Sequence, residues 1–326
     1  MFWVQFIAAS AIVVLAAMQL ARYGDVIAIR TKLGGMFVGT LLLAGATSLP
    51  ELLTAISSLQ QNVPNLAAGN FFGSNMFNML MLAVLDLTHQ NQRILRQVAM
   101  KHALTGGLAI LLIGMAVLSI EVNLDWSVGW VGFDSLLLIL VYLGGVRLLH
   151  GNKNIVPEQA ELDPRLPPLW KALLGFAIAT AVLVAVAPML VSSSKRIAEI
   201  TGLGSGFVGL LLVGLVTSLP ELVTVIAAAR LGAYDLAVGN LFGSNIFNMF
   251  ALGLTDIFLT SGRFMGVIDG DFAVAGMFGL ILTTLGLIGN LARLERRLFF
   301  IELDALLLIL VYLGGMWMLF SLGMAN

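Results

Sequence analysis

The chain has 326 residues, of which 59% are hydrophobic and 11% charged, and its mean hydropathy is +0.99. Soluble domains contain roughly a quarter charged residues, so this composition excludes a water-soluble globular protein and indicates one that lies in a bilayer. The formal net charge of -1 gives no overall field that would attract nucleic acid. Because the chain has no cysteine, disulfides, thiolate metal sites and thiol nucleophiles are all excluded.

Apolar segments of about 20 residues follow one another along the whole chain, and each is long enough to cross roughly 30 Å of hydrocarbon as a helix. They lack the alternation that is typical of an outer-membrane barrel. We therefore predict an all-α, integral multi-pass membrane protein. Its ten transmembrane helices are predicted at residues 2–21, 34–59, 66–87, 103–120, 130–149, 171–191, 204–229, 236–260, 271–290 and 301–323.

The basic residues predict how these helices are oriented. Of the 17 Lys and Arg residues, 14 follow the odd-numbered predicted helices or lie at their ends, and only Lys195, Arg196 and Arg263 fall on the other side. Cytoplasmic loops of membrane proteins are enriched in Lys and Arg. Both termini are therefore predicted to lie outside the cell (inner) membrane.

Three segments of the chain recur with an offset of 170 residues. The sequence TSLPEL occupies 47–52 and 217–222, GNFFGSNMFNM at 69–79 returns as GNLFGSNIFNM at 239–249, and LLLILVYLGG occurs at 136–145 and 306–315. These matches predict that 1–150 and 171–326 are two copies of a five-helix unit, joined by a cytoplasmic linker at 151–170. Because five is an odd number of spans, the second copy must enter the membrane from the opposite side, which gives inverted-topology repeats.

Two acidic residues, Glu51 and Glu221, fall deep inside predicted spans. A carboxylate at the bilayer centre costs about 2.5–3.5 kcal/mol, so it usually faces a bundle interior or a water-filled cavity. Each follows a proline, which lacks an N–H and breaks the helix, and the break frees backbone carbonyls near Thr47 and Thr217. A hinge with a satisfied carboxyl is one interpretation, but its occurrence twice in equivalent positions favours a cation site.

The second repeated motif places polar residues four apart on one helix face. These residues are Asn70, Ser74 and Asn78 in the first copy and Asn240, Ser244 and Asn248 in the second. Small polar residues also form interhelical hydrogen bonds, and we assign that structural role to Asn75 and Asn245. Two bidentate carboxylates, two amide oxygens and two carbonyls would supply about eight oxygens, within the 6–8 that Ca²⁺ takes. Oxygen ligands alone favour a hard cation.

The paired T-S-L-P-E and G-N-x-x-G-S-N-x-x-N motifs in a five-plus-five inverted repeat closely resemble the sodium/calcium exchanger family, prokaryotic type, within the wider cation/calcium exchanger group. The resemblance implies broken helices at the ion site. It also implies that the ion sites are lined by Glu51, Asn78, Glu221 and Asn248, helped by Thr47, Ser48, Ser74, Thr217, Ser218 and Ser244. Sodium-driven members often carry Asp where this chain has Asn248, which leaves two carboxylates here.

The resemblance implies a secondary active antiporter, and not an enzyme, that exchanges Ca²⁺ for Na⁺ by alternating access. Coupling to H⁺ is an alternative, and a passive cation channel that uses the same oxygens as a filter is a second one. No HExxH, GxSxG or Walker A sequence argues for an intramembrane hydrolase or an ATP-driven pump. The expected partners are inorganic cations and the lipid bilayer, with no cofactor, no nucleic acid and no obligatory protein partner.

The other titratable residues near span ends are given no part in transport. The four aspartates are interpreted as helix caps or interfacial residues, namely Asp86, Asp134, Asp256 and Asp304. The three histidines are interpreted as solvated side chains, namely His89, His102 and His150.

Overall fold

The computed structural model describes residues 2–31, 43–88, 94–150, 166–292, 297–298 and 301–324. Apart from two short hairpins, the secondary structure of these residues is helical. The elements of the first half are α1 (Phe2–Thr31), α2 (Leu49–Gln60), α3 (Pro64–Thr88), α4 (Ile94–Val122), β1 (Ser127–Val128), β2 (Val131–Gly132) and α5 (Phe133–His150). Residues 43–47, just before α2, are also helical.

The second half repeats this order. Its elements are α6 (Leu169–Thr201), α7 (Ser205–Val208), a π-helical turn (Gly209–Val213), α8 (Gly214–Thr217), α9 (Leu219–Arg230), α10 (Tyr234–Ile257), α11 (Phe264–Val267), α12 (Phe272–Ala292), β3 (Arg297–Leu298), β4 (Ile301–Glu302), α13 (Leu303–Leu319) and a closing π-helical turn (Phe320–Met324). Helices α2 and α9 begin and end 170 positions apart. The hairpins keep the same offset, since Ser127 pairs with Gly132 and Arg297 with Glu302.

Seven helical segments among the described residues are long and apolar enough to cross a membrane. They are Phe2–Thr31, Pro64–Thr88, His102–Val122, Leu169–Thr201, Ser205–Arg230, Phe272–Gly289 and Leu303–Leu322. Two other predicted spans coincide with α5 and α10, which are helices but do not belong to this set. The predicted span 34–59 and the linker 151–170 lie in part outside the described residues. An all-helical membrane fold is thus confirmed, while the number of ten helices stays a prediction.

Three helices are longer than the hydropathy pattern predicted, and one of them, α4, begins at Ile94 although the span was predicted from residue 103. Helix α1 continues to Thr31, and α6 continues to Thr201, so that Lys195 and Arg196 lie on a helix and not in a loop. Hydropathy detects only the apolar part of a helix, and polar turns such as that around Asp25 extend it without a change of backbone. The end of α1 is fixed because the Arg30 guanidinium donates hydrogen bonds to the backbone carbonyl of Leu166 (2.6 Å) and to the next carbonyl along the chain.

The membrane-crossing helix breaks at equivalent serines in the two halves. Ser48 has φ -91° and ψ 6°, and Ser218 has φ -88° and ψ 1°, whereas an α-helix requires ψ near -42°. The proline two residues later has no N–H to donate to the carbonyl four residues before it. The helix therefore ends before each serine and begins again as α2 or α9, with the glutamate in its first turn.

The apolar interior consists of two separate clusters. The larger cluster is built mainly from α3, α4, α10 and α12, with Phe71, Phe72 and Phe242 among its fully buried side chains. The smaller cluster joins α1 to α6 and includes Leu20 and Leu190. It reaches the helix break through Ala46 and Val216. The broken helices therefore lie between two separately packed apolar bodies.

One prediction is wrong and another is confirmed among the residues near span ends. His102 is 8% exposed and its Nε2 lies 4.0 Å from an Asp235 carboxylate oxygen, so it is a buried side chain and not a solvated one. It lies on α4 just before the predicted span 103–120, and its contact with Asp235 at the start of α10 explains the burial. Asp256 caps as predicted, since it accepts hydrogen bonds from the backbone N–H groups of Gly132 (2.7 Å) and Phe264.

Glycines allow α3 to lie directly against the backbone of the second half. A Cβ at Gly69 would collide with the carbonyl oxygen of Gly206, and a Cβ at Gly73 with that of Leu210. Small residues at helix interfaces are typical of membrane proteins, where close packing replaces the hydrophobic driving force. The repeated motif helix of one half therefore packs on the helix that precedes the break in the other half.

This packing predicts that Gly73→Ala destabilises the protein. Because the new methyl group meets backbone and not a flexible side chain, we expect a loss of about 1–3 kcal/mol or more. Gly144→Ala on α5 is the matched control, because a Cβ there has nothing within 4 Å. Thermal unfolding in detergent should show a clear fall in Tm for the first variant and none for the second. Equal Tm values for the two variants would contradict the packing.

Candidate ion-binding site

The Glu51 carboxylate is fully buried at the start of α2. Its Oε1 accepts a hydrogen bond from the Ser218 hydroxyl (3.3 Å) of the opposite half, and the Ser74 hydroxyl on α3 lies 3.5 Å from the same oxygen. One oxygen of the carboxylate is therefore held from both halves of the protein.

The Glu221 carboxylate has the equivalent surroundings at the start of α9. It is fully buried, and its Oε1 accepts hydrogen bonds from the Ser48 hydroxyl (2.9 Å) and the Ser244 hydroxyl (3.4 Å). Ser48 belongs to the first half and Ser244 to the second. The two breaks are thus joined crosswise, since each break serine donates to the glutamate of the other half.

Four asparagines connect α3 and α10 in the same crosswise manner. The Asn78 side-chain amide donates to the Oδ1 of Asn245 (2.9 Å), and the Asn248 amide donates to the Oδ1 of Asn75 (3.0 Å). All four side chains are at most 1% exposed. Asn75 and Asn245 therefore have contacts of the interhelical kind that the sequence predicted for them.

Four of the buried oxygens that accept no hydrogen bond from any described residue belong to the glutamates and to the last asparagine of each motif. They are Glu51 Oε2, Glu221 Oε2, Asn78 Oδ1 and Asn248 Oδ1. Leaving a buried acceptor unsatisfied costs about 1–3 kcal/mol, and more for a charged one, so such atoms in a folded protein require an explanation. They belong to the four main ligands expected from the sequence, and they come in two pairs at the repeat offset.

The two motif threonines are buried but make different contacts. The Thr47 hydroxyl donates to the carbonyl of Ala44 (3.1 Å), whereas the Thr217 hydroxyl donates to the side-chain oxygen of Asn70 (2.9 Å). Both hydroxyls are therefore engaged with protein oxygens. A hydroxyl that donates its hydrogen keeps its lone pairs, so each threonine could offer a cation its hydroxyl oxygen as well as its backbone carbonyl.

The halves differ at the first asparagine of the repeated motif. The Asn70 amide donates to the backbone carbonyl of Glu51 (3.2 Å) and its oxygen accepts from Thr217. The side-chain atoms of Asn240, which is equally buried, have no hydrogen-bond partner within the described ranges. The face that includes Asn70 is therefore closed onto the broken helix by hydrogen bonds that its counterpart lacks in that part of the chain.

Thr283 on α12 is a member of this network that the motifs did not indicate. Its hydroxyl donates to the Gly279 carbonyl (2.7 Å) and accepts a hydrogen bond from the Asn245 amide (3.4 Å). The signal in the sequence is weak: a buried polar residue in an apolar span, at the position where the first copy has Ile113.

The arrangement offers a cation two carboxylates and otherwise neutral oxygens. Within the described residues, no three His, Cys, Asp or Glu side chains are grouped as a metal site. The negative charge at the centre of the fold is therefore -2 when both glutamates are ionised. Such a set of oxygens suits a hard cation such as Ca²⁺ or Na⁺.

Comparison with known proteins finds matches that cover most of the chain. The family model described as sodium/calcium exchanger protein matches residues 1–149 and 171–321. CaxA of Alkalimonas amylolytica, whose name gives it provisionally as an antiporter, is 29% identical over 299 residues, which cover 90% of this chain and 91% of the relative.

Solved structures share the fold across nearly the whole chain. The H⁺/Ca²⁺ exchanger CAX superposes with a TM-score of 0.74 at 13% identity, covering 99% of this chain and 85% of that one. The sodium-calcium exchanger NCX_Mj superposes with a TM-score of 0.62 at 21% identity, covering 97% of both chains. With the family model matching both halves, the chain belongs to the sodium/calcium exchanger family, a family of membrane transporters and not of enzymes.

Proposed function

We propose that this protein is a secondary active antiporter that exchanges Ca²⁺ for a monovalent cation across the membrane. The observation that carries the proposal is the set of four buried, unpaired oxygens on Glu51, Asn78, Glu221 and Asn248. A cation bound among them would satisfy acceptors that no described residue satisfies, and two carboxylates match the charge of one Ca²⁺. Membership of an exchanger family supports the same function.

The ligand set reaches the number of oxygens that Ca²⁺ requires. The unpaired carboxylate and amide oxygens supply four, and the serine-held Oε1 atoms remain close enough on the same carboxyl groups to make each glutamate bidentate. Backbone carbonyls at Thr47 and Thr217 would bring the total to about eight. The hydroxyls of Ser48, Ser74, Ser218 and Ser244 then orient the carboxylates and stand beside the ion as further oxygens.

Alternating access requires that parts of the protein move relative to one another around the site. The two apolar clusters support such a motion, because the α1–α6 body packs separately from the body formed by α3, α4, α10 and α12. We interpret the fold as two inverted five-helix repeats, ten spans in all, with the broken helices between these bodies. Sliding or rocking of one body past the other would open the site to each side in turn.

The coupling ion is proposed to be Na⁺, by resemblance to the family, with H⁺ as the alternative. Both kinds of exchanger have this fold, since CAX is an H⁺/Ca²⁺ exchanger and NCX_Mj a sodium-calcium exchanger. Asn248 leaves two carboxylates, which two Na⁺ or two H⁺ neutralise equally well. Uptake of radioactive calcium into purified proteoliposomes with Na⁺, H⁺ or neither trapped inside decides between them. A passive channel would need no trapped counter-ion, so uptake independent of both would contradict the proposal.

Glu51→Gln and Glu221→Gln should each abolish calcium exchange. The amide keeps the shape of the side chain but removes half of the formal charge that faces the ion. Exchange is measured as counter-ion-dependent calcium uptake, with Glu199→Gln as the control, because Glu199 pairs on the surface with Arg196. The Tm of each variant in detergent verifies that it is folded. Near-normal uptake by a folded Glu51→Gln or Glu221→Gln variant would show that the site is assigned to the wrong residues.

Exchange should be close to electroneutral. One Ca²⁺, two Na⁺ or two H⁺ each neutralise the two glutamates, and a third bound cation would leave an uncompensated charge in a site of low dielectric constant, which is costly. With the membrane potential clamped by K⁺ and valinomycin, the exchange rate should vary little with voltage, and Asn248→Asp should introduce a voltage dependence. Strong voltage dependence in the unmodified protein that Asn248→Asp leaves unchanged would contradict the charge count.

The distribution of the basic residues supports the proposal that both termini lie on the outer side of the membrane and that residues 151–168 lie in the cytoplasm. A single cysteine is informative because the native chain has none. In intact cells, an impermeant thiol reagent should label Asn326→Cys, whereas Lys153→Cys should be labelled only after lysis. The opposite pattern would reverse the orientation.

A further inference from the structure

The crosswise asparagine pairs are related by the repeat, but their hydrogen bonds are not equivalent. Asn245 makes three side-chain hydrogen bonds: its oxygen accepts from Asn78, and its amide donates to the backbone carbonyl of Asn75 and to Thr283 (both 3.4 Å). Asn75 uses its oxygen to accept from Asn248, while its Nδ2, although buried, has no partner among the described residues.

The contacts of Asn245 permit one orientation of its amide. The Asn75 backbone carbonyl is an acceptor only, so the Nδ2 of Asn245 must face it. Thr283 also acts as an acceptor here, because its hydroxyl hydrogen is donated to Gly279. The oxygen of Asn245 must then face Asn78, which has to donate. The Oδ1 of Asn78 is thereby directed away from Asn245, as one of the unpaired oxygens of the site.

No such restriction applies to Asn75. The position on α4 that corresponds to Thr283 is Ile113, which is fully buried and has no polar side-chain atom. Reversing the Asn75 amide would therefore break no hydrogen bond except the one with Asn248. That bond could form again with Asn75 as the donor if the residue at position 248 presented an acceptor.

We propose that Asn245 is a positioning residue that directs the Asn78 oxygen toward the cation, whereas Asn75, which lacks the equivalent contacts, can reverse its amide. The inference rests on the proposed calcium site. It assigns the difference between Asn245 and Asn75 to Thr283 on α12, whose counterpart on α4 is the apolar Ile113.

The proposal is tested by two variants that make the same chemical change at repeat-related positions. In Asn248→Asp, the new carboxylate faces Asn75, whose amide can reverse and donate a hydrogen bond to it. In Asn78→Asp, the new carboxylate faces the side-chain oxygen of Asn245. Two acceptors then face each other, unless Asn245 reverses its amide and loses both of its donor contacts. The added charge is the same in both variants, and the ratio of their calcium KM values therefore measures the difference in orientation. We expect KM to be roughly tenfold or more higher for Asn78→Asp than for Asn248→Asp.

Exchanging the residues on α4 and α12 tests the assigned cause. Thr283→Val removes one of the acceptors that fix Asn245, so adding it to Asn78→Asp should lower the calcium KM severalfold. Added to Asn248→Asp, it should change the calcium KM by the same factor as it does in the unmodified protein. In Ile113→Thr, the new hydroxyl can donate to the Ala109 carbonyl one turn earlier, as the Thr283 hydroxyl does to the Gly279 carbonyl, and its oxygen can accept a hydrogen bond from the Asn75 amide. It should therefore raise the KM of Asn248→Asp severalfold, with Ile113→Thr alone as the control.

The outcomes separate this inference from the proposed function. Calcium binding is measured by equilibrium dialysis in detergent and exchange in proteoliposomes, with Tm as the test of folding. A wild-type protein that binds calcium without exchanging it contradicts the antiporter and leaves the KM comparison to be made as dissociation constants. If Asn78→Asp does not fold, the Ile113→Thr pair decides. Equal values for Asn78→Asp and Asn248→Asp, or no effect of Ile113→Thr on Asn248→Asp, would overturn the inference.

Discussion

Two carboxylates buried in the middle of an apolar fold are the constraint on which the rest of this structure depends. Charged groups in such surroundings are costly unless polar atoms or an ion compensate them. Glu51 and Glu221 are each placed in the first turn of a helix that begins at a break, and hydroxyls from both halves hold one oxygen of each. Polar residues of α3 and α10 complete the surroundings. The other oxygen of each carboxylate accepts no hydrogen bond from a described residue, and this supports the proposed cation site.

The duplication explains how so short a motif forms an enclosed site. One copy of TSLPEL supplies a break, a glutamate and a serine. In the structure the serine donates to the glutamate of the other copy, and the asparagines of α3 and α10 are paired in the same crosswise way. Each half is therefore incomplete without the other. The stability of the site and the packing of the two halves depend on the same contacts.

The sequence indicated the buried polar residues of the proposed site because polar residues stand out in apolar spans and because each of them occurs twice. The ends of α1 and α6 were not predictable in this way, because a hydropathy pattern does not detect polar helical turns such as that at Asp25. Burial of His102 was missed because it depends on a neighbour, Asp235, that is distant in sequence. Most of all, hydrogen-bond direction was inaccessible: the repeat makes Asn75 and Asn245 look equivalent, and only their three-dimensional partners distinguish them.

Small departures from the repeat therefore matter more than their number suggests. Matching motifs supply the same residues to both halves of the proposed site. The motifs alone therefore cannot make one half of the site differ from the other. Thr283 accepts a hydrogen bond from Asn245, whereas the equivalent residue of the first copy is the apolar Ile113. Asn70 and Asn240 differ as well, since Asn70 alone has hydrogen bonds to the broken helix within the described residues. The repeat therefore supplies the same residues to both halves, and the differences between Thr283 and Ile113 and between Asn70 and Asn240 give those residues different hydrogen-bond partners.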